Sequence, residues 1–291
     1  MTRTPAGPGL RDLRTWSSGA AHGAGSPVPE FTVLLLHHAG GSAAAYLPFV
    51  RHLPPHWQLI ALELPGRLMS MEEPTCRSAE HAVEWLLPSV ESELVGEYAV
   101  FGHSMGAVVA FELVRELERR GNPPVWLGLS GSPAPRHVAL RHGSRRDLWP
   151  RERLVQFMRG LGGTPESVLD HTELVDGMVR TLRGDLAVVD TYRYPGGPSL
   201  GMPVSVYTGR DDPVATDEVV RPWVDHADAG ITFRSWAGGH FYLFDQVESV
   251  AEQIRQDILA ARRSRPGAPH AGDALAPEPE GPRPPHHPIG L

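Results

Sequence analysis

Apolar residues along this chain gather into short runs, and the stretches between them repeat apolar positions at helical spacing. The runs at 31–37, 57–62, 98–101, 125–129, 204–207 and 231–236 predict strands. Helical patterns lie between most of them, notably at 78–94, 104–120, 216–228 and 245–262. Strand and helix in alternation imply a mostly parallel central sheet with helices on both faces, an α/β fold. One interval breaks the rhythm. About seventy residues separate the strand near Ser130 from the one starting after Pro203, with helical candidates at 151–160 and 166–192. That interval is too long for a plain connection and predicts an inserted helical lid over about 133–200; the bland alternative is a peripheral insertion with no gating role.

The two ends have a different character. Residues 1–29 are rich in Gly, Ala, Pro and Ser and predict a disordered, loosely attached segment. Residues 264–291 run into Pro-rich sequence that cannot build a packed core and predict a disordered tail. The folded domain is therefore expected over 30–263. No internal repeat is visible.

Composition narrows the function classes. With 291 residues and 41% hydrophobic content, the chain can bury a real core. No apolar run approaches a membrane span, and no h-region marks a secretory signal, so no membrane association is expected. A single cysteine, Cys76, excludes an internal disulfide framework and a multi-cysteine zinc site, and points to a cytoplasmic protein. All 27 basic residues are Arg, which excludes Schiff-base and lysine-base chemistry. A formal net charge of −7 argues against general nucleic-acid binding. The Walker A loop, the H-E-x-x-H zinc motif and a strand-borne G-x-G-x-x-G are all missing.

The candidate chemistry starts at Gly102-His103-Ser104-Met105-Gly106, which fits G-x-S-x-G, the nucleophile elbow of α/β-hydrolases. A predicted strand precedes it and a predicted helix follows, the context the motif requires; the alternative is a Gly-rich loop with a helix-capping Ser. A serine hydroxyl needs an adjacent base, and the base needs an orienting acid. In this fold the chain order is Ser, then Asp or Glu, then His. Asp211 and Asp212 follow the predicted strand 204–207, and Asp212 is preferred because it lies three residues past Gly209 and just before Pro213. The alternative is that both acids cap the next helix. Among 15 histidines, His240 has the required chain order, a strand before it and a helix behind, with Gly238-Gly239 to free the loop. His103 lies inside the elbow and is expected to point away from the nucleophile. Two backbone donors are needed for a tetrahedral oxyanion. Met105, directly after the nucleophile, is one candidate, and Ala39, in the small-residue loop after strand 31–37, is the other.

With these residues in place the chain resembles the type II, or editing, thioesterases of polyketide and nonribosomal peptide synthesis, within the α/β-hydrolase superfamily. The resemblance covers roughly 31–262. It is carried by His38-Ala39-Gly40-Gly41-Ser42, Leu64-Pro65-Gly66-Arg67, Phe101-Gly102-His103-Ser104-Met105-Gly106-Ala107, Leu182-Arg183-Gly184-Asp185 with Tyr192, and Gly238-Gly239-His240-Phe241-Tyr242-Leu243. It implies hydrolysis of acyl thioesters on the phosphopantetheine arm of acyl or peptidyl carrier proteins, with Ser104, His240 and Asp212 as the triad and no metal or soluble cofactor. It also implies a protein separate from the synthase, expected as a monomer. There are departures: His37 stands where the family usually has Pro, Leu68, Met69 and Ser70 follow the Pro-Gly-Arg turn where charges are usual, and Gly184 replaces a usual Ala. Carrier proteins are typically acidic, so the run Arg141, Arg145, Arg146, Arg151 and Arg153 is a candidate docking surface, set against a solvated loop of mixed charge. Other outcomes for the same elbow are a product-releasing thioesterase, an esterase or acyltransferase, or a catalytically idle interaction module.

Overall fold

The computed structural model describes residues 9–18, 29–67, 70–140, 144–161 and 166–265. In chain order the elements are β1 (Leu10–Asp12), α1 (Leu13–Ser18), β2 (Phe31–Leu36), a 3-10 helix (Ala43–Arg51), β3 (Trp57–Leu62), α2 (Ala79–Glu93), β4 (Tyr98–His103), α3 (Met105–Arg119) and β5 (Trp126–Ser130). There follow α4 (Pro135–Leu140), a 3-10 turn (Arg146–Leu148), α5 (Arg151–Leu161), α6 (Glu166–Leu169) and α7 (Thr172–Asp190). The chain closes with β6 (Val204–Gly209), α8 (Asp217–Val220) running into a 3-10 helix (Arg221–His226), β7 (Ile231–Trp236), α9 (Tyr242–Asp245) and α10 (Val247–Arg263).

The strands form one sheet in the order β1-β3-β2-β4-β5-β6-β7. All neighbours are parallel except the β1–β3 pair. Side-chain alternation splits each central strand between two layers. Leu34 and Leu36 of β2 face α2 and α3, together with Val100, Leu127, Leu129 and Val206. Phe31, Val33 and Leu35 face the opposite layer, where the first 3-10 helix, α1 and α10 supply Tyr46, Phe49, Leu13, Ile254 and Ile258. β7 is an edge strand, and its residues are half-buried or exposed in near alternation.

The expected loose attachment of residues 1–29 does not hold at 10–18. Leu10 and Leu13 are fully buried. Leu10 pairs with Leu62 across the antiparallel ladder, and the Glu63 N–H donates to the Gly9 carbonyl at 2.6 Å. Arg14 donates to the carbonyls of Trp57 at 2.7 Å and Val50 at 3.0 Å, satisfying acceptors at a chain corner. A three-residue strand is too short to show a period, which is why composition misjudged it. At the other end the described chain stops at Arg265, and the rest of the expected tail lies outside the described residues.

Two expected helices are divided, and a third has a short helix before it. The pattern at 166–192 becomes α6 and α7, broken at Asp170-His171; that at 245–262 is α10, preceded by the short α9; and that at 216–228 passes from α8 into a 3-10 helix at Pro222. Proline there removes a backbone donor and so ends the α-helical ladder. The long insertion between β5 and β6 is helical, as its length implies. It has a small core of its own, with Leu154, Val155 and Met158 of α5 against Val175, Val179, Leu182 and Leu186 of α7. Among the described residues no helix is long and apolar enough to cross a membrane.

Candidate active site

The turn from β4 into α3 is closed by close backbone approach. A Cβ on Gly102 would lie 2.2 Å from the Gly106 carbonyl oxygen, and one on Gly106 would lie 2.3 Å from that of Leu36. Both positions therefore require glycine. Ser104, between them, sits at φ 57° and ψ −117°, a conformation that costs an L-residue on the order of 1–3 kcal/mol. Its N–H donates to the Ser130 carbonyl at 2.7 Å, which holds the strained corner against β5. Met105 is the first residue of α3, so its N–H has no intrahelical acceptor.

β6 and β7 deliver the other two side chains. Asp212 lies just past the end of β6 with its carboxylate buried, and its Oδ1 accepts from the Val214 N–H at 2.8 Å. Asp211 is exposed, so the two neighbouring acids are separated by burial. His240 follows the Gly238-Gly239 bend after β7 and is 4% exposed. Its Nδ1–H donates to Asp212 Oδ2 at 2.8 Å, and its Nε2 accepts from the Ser104 hydroxyl at 2.9 Å. Hydroxyl, imidazole and carboxylate thus stand in one hydrogen-bonded line, assembled from three loops at the carboxyl ends of β4, β6 and β7.

A cavity opens over this line. On the sheet side it is lined by His38, Ala39, Gly40, Ser104, Met105 and His240. On the lid side the lining is Phe157, Met158, Leu161, Met178, Leu182 and Leu186, an apolar wall from α5 and α7. Arg146 also reaches the cavity, where its guanidinium is held by Asp190 at 2.9 Å.

Behind the line sit the buried His103 and His37, with the half-buried His38 at the cavity wall. His103 is fully buried; its Nδ1 contacts the Ser130 hydroxyl at 2.9 Å, and that hydroxyl contacts the Tyr242 hydroxyl at 2.7 Å. Its ring centroid is 5.0 Å from that of His240, so the elbow histidine supports the imidazole from below. Burial, then the neighbouring His240 and His38, hold His103 well below the usual imidazole range. Burial pushes His37 down to about 3, aided by Arg67, and His38 also to about 3, aided by His37 and His240. His226, by contrast, packs among Phe111, Trp223 and Tyr194 away from the cavity.

Other sequence features are placed as follows. Arg141, Leu68 and Met69 lie outside the described residues. Arg145 pairs with the buried Asp147 at 2.9 Å, Arg151 pairs with Asp176 at 2.6 Å, and Arg153 stacks 3.7 Å over Trp149. Cys76 is a buried free thiol that burial pushes up to about 12, with Asp185 adding to the rise. Sequence reasoning missed the roles of Ser130 and Tyr242 beneath the elbow: Ser130 belongs to no spaced motif, and Tyr242 enters only as one position of the segment 238–243, with no role of its own. Among the described residues no three His, Cys, Asp or Glu side chains converge as metal ligands.

Comparison with known proteins identifies the family and the fold. The thioesterase domain family matches residues 31–258. Thioesterase PikA5 of Streptomyces venezuelae is 36% identical over 249 residues, covering 84% of this chain and 86% of that protein. The probable cadicidin biosynthesis thioesterase of Streptomyces griseus is 34% identical over 79% of this chain, which spans 63% of that longer protein. The solved structure of the type II thioesterase BorB, from the borrelidin biosynthetic cluster, superposes with a TM-score of 0.78 at 34% identity, over 88% of this chain and 99% of that one. A match that runs from β2 into α10 takes in every strand from which the hydroxyl, imidazole and carboxylate project, and on that ground the chain belongs to the thioesterase family, as an α/β-hydrolase-fold serine hydrolase of the type II kind.

Proposed function

We propose that this enzyme hydrolyses acyl thioesters carried on the phosphopantetheine arm of acyl or peptidyl carrier proteins, clearing stalled or aberrant acyl groups from a polyketide or nonribosomal peptide synthase. The observation that carries the reading is the Ser104–His240–Asp212 line, with hydrogen bonds of 2.9 and 2.8 Å, at the floor of an apolar cavity. His240 takes the Ser104 proton as Oγ attacks the thioester carbon. The Asp212 carboxylate fixes the Nδ1–H tautomer and stabilises the imidazolium. The N–H groups of Ala39 and Met105 receive the oxyanion. Collapse of the tetrahedral intermediate breaks the C–S bond, and His240 returns the proton to the leaving thiol. Water then attacks the acyl-enzyme with His240 as base, and the carboxylic acid leaves. These steps call on no metal or soluble cofactor. The apolar lid wall accommodates the acyl chain, while the pantetheine thiol departs toward its carrier.

Ser104→Ala tests the nucleophile. Thioester hydrolysis is expected to fall by at least about 10³-fold with an unchanged melting midpoint, given the losses seen when a triad nucleophile is removed. Residual activity within about tenfold of wild type rejects Ser104. Matched oxygen esters and carrier-bound thioesters separate a general esterase from a thioesterase: preference for the oxygen ester overturns the substrate assignment.

A further inference from the structure

The loop that presents Ala39 is held by a clamp drawn from outside it. Three ties converge on residues 38–41. The His38 carbonyl accepts from His37 Nδ1–H at 2.8 Å and from the Gly41 N–H at 3.0 Å. The Gly40 N–H, turned by a φ of +76°, donates to Asp185 Oδ2 at 2.7 Å. The Gly41 carbonyl accepts from Arg67 Nη1 at 2.8 Å. Arg67 and Asp185 are themselves joined by a two-pronged pair, Nη1 to Oδ2 at 3.0 Å and Nη2 to Oδ1 at 2.6 Å. Both are buried, 6% and 1% exposed.

The geometry has a direct reading. In a planar trans peptide the carbonyl and the N–H point in opposite directions. The His38 carbonyl and the Ala39 N–H share one such plane. A carbonyl turned back onto the His37 ring therefore aims the Ala39 N–H the other way, and Ala39 lines the cavity with Ser104. His37 is fixed in turn: its Nε2 accepts from the Leu64 N–H at 3.3 Å, which leaves the proton on Nδ1. A proline, usual in the family at this position, offers no such donor. Asp185 belongs to α7, so one of the three ties comes from the lid.

We propose that His37, Arg67 and Asp185 are positioning residues that fix the peptide bearing the Ala39 N–H, so that the lid helix α7 is structurally part of oxyanion stabilisation. This rests on the oxyanion role assigned above to Ala39. None of the three touches the reacting atoms; each acts through the loop. A buried two-pronged ion pair is a weak source of net stability and a good source of fixed geometry, which suits this task.

The test compares wild type with Asp185→Asn, His37→Phe and the double variant Arg67→Met/Asp185→Asn, which leaves no unpaired buried charge. The substrate is a small acyl thioester, and the probe is a trifluoromethyl ketone of the same acyl chain, which forms a tetrahedral adduct on Ser104. In Asp185→Asn and the double variant, kcat is expected to fall about 10–100-fold with KM held within about threefold, as for a misplaced oxyanion donor. Ki for the ketone should rise in parallel with the loss in kcat/KM, because both read the tetrahedral state. The midpoint of the pH profile should stay at the wild-type value, because His240 and Asp212 are untouched. His37→Phe should likewise lower kcat and raise Ki together. A folded double variant or a folded His37→Phe with wild-type kcat and Ki overturns the clamp, as does a kcat loss without a change in Ki. Failure of the ketone to form an adduct on wild-type Ser104 overturns instead the function on which the clamp rests.

Discussion

His37 and His103 are 2% and 0% exposed and lie within one layer beneath the candidate site. Burial is the main reason both are held below the ordinary imidazole value, His37 to about 3. The folded protein keeps them neutral, while the unfolded chain protonates them below about pH 6.5. The unfolded state therefore binds more protons as pH falls, and His37 lowers stability between pH 6.5 and about 3 by up to about 1.4 kcal/mol per pH unit, with His103 acting in the same direction. Ordinary carboxylates do not titrate until lower pH, so the decline between about pH 6.5 and 5.5 is a histidine signal. Melting midpoints across that interval should fall in wild type and fall less steeply in His37→Phe. Parallel slopes for the two would show that His37 is not neutral in the fold. At this scale the serine, the imidazole and the preferred acid were legible, because a motif and a chain order constrain each one. The pair Arg67–Asp185 was not, since its members lie 118 residues apart and were visible only as pieces of two separate family segments. Gly184, a departure from the usual Ala, is explained by packing: a Cβ there would sit 2.4 Å from the Thr75 Cβ.

Among the elements, β1 and α1 are the part composition misread. Leu10 sits against β3 and Leu13 against the opposite layer, so this short segment closes the end of the sheet and reaches both cores. Leu10→Ala should cost about 2–5 kcal/mol in urea unfolding, the range for a fully buried leucine, with activity at low temperature retained. A loss below about 0.5 kcal/mol, the level of a surface substitution, would restore the view of a loosely attached segment. The six parallel strands were legible because five are largely apolar runs of ordinary strand length and β7 alternates apolar with polar residues. Helix boundaries were less so: α6 and α7 share one apolar period, and only the irregular backbone at Asp170-His171 separates them.

At the scale of the whole molecule, the proposed function sets a net charge of −7 against typically acidic carriers, so approach would depend on where arginines reach the surface. Arg146 is committed to Asp190 and to the cavity wall, whereas Arg151, paired with Asp176, and Arg153, stacked on Trp149, lie nearer the surface on α5. Arg151→Ala/Arg153→Ala should raise KM for an acyl-carrier substrate by about 3–10-fold, the effect of rim charges on encounter, while sparing a small thioester. An equal change on both substrates would reject a docking role for this pair. Arg146→Ala should instead slow both substrates, because it strands a buried carboxylate at the cavity.

The buried sulfur of Cys76 has a practical corollary. Each turnover of the proposed reaction liberates a thiol, and the protein's own thiol is enclosed and resistant to ionisation. A colorimetric disulfide reagent added to the reaction should therefore register product alone, leaving the folded catalyst unlabelled. A cysteine engineered on the outer surface of α7 would then be the one reactive place on the molecule, and a fluorophore there would follow the lid during turnover.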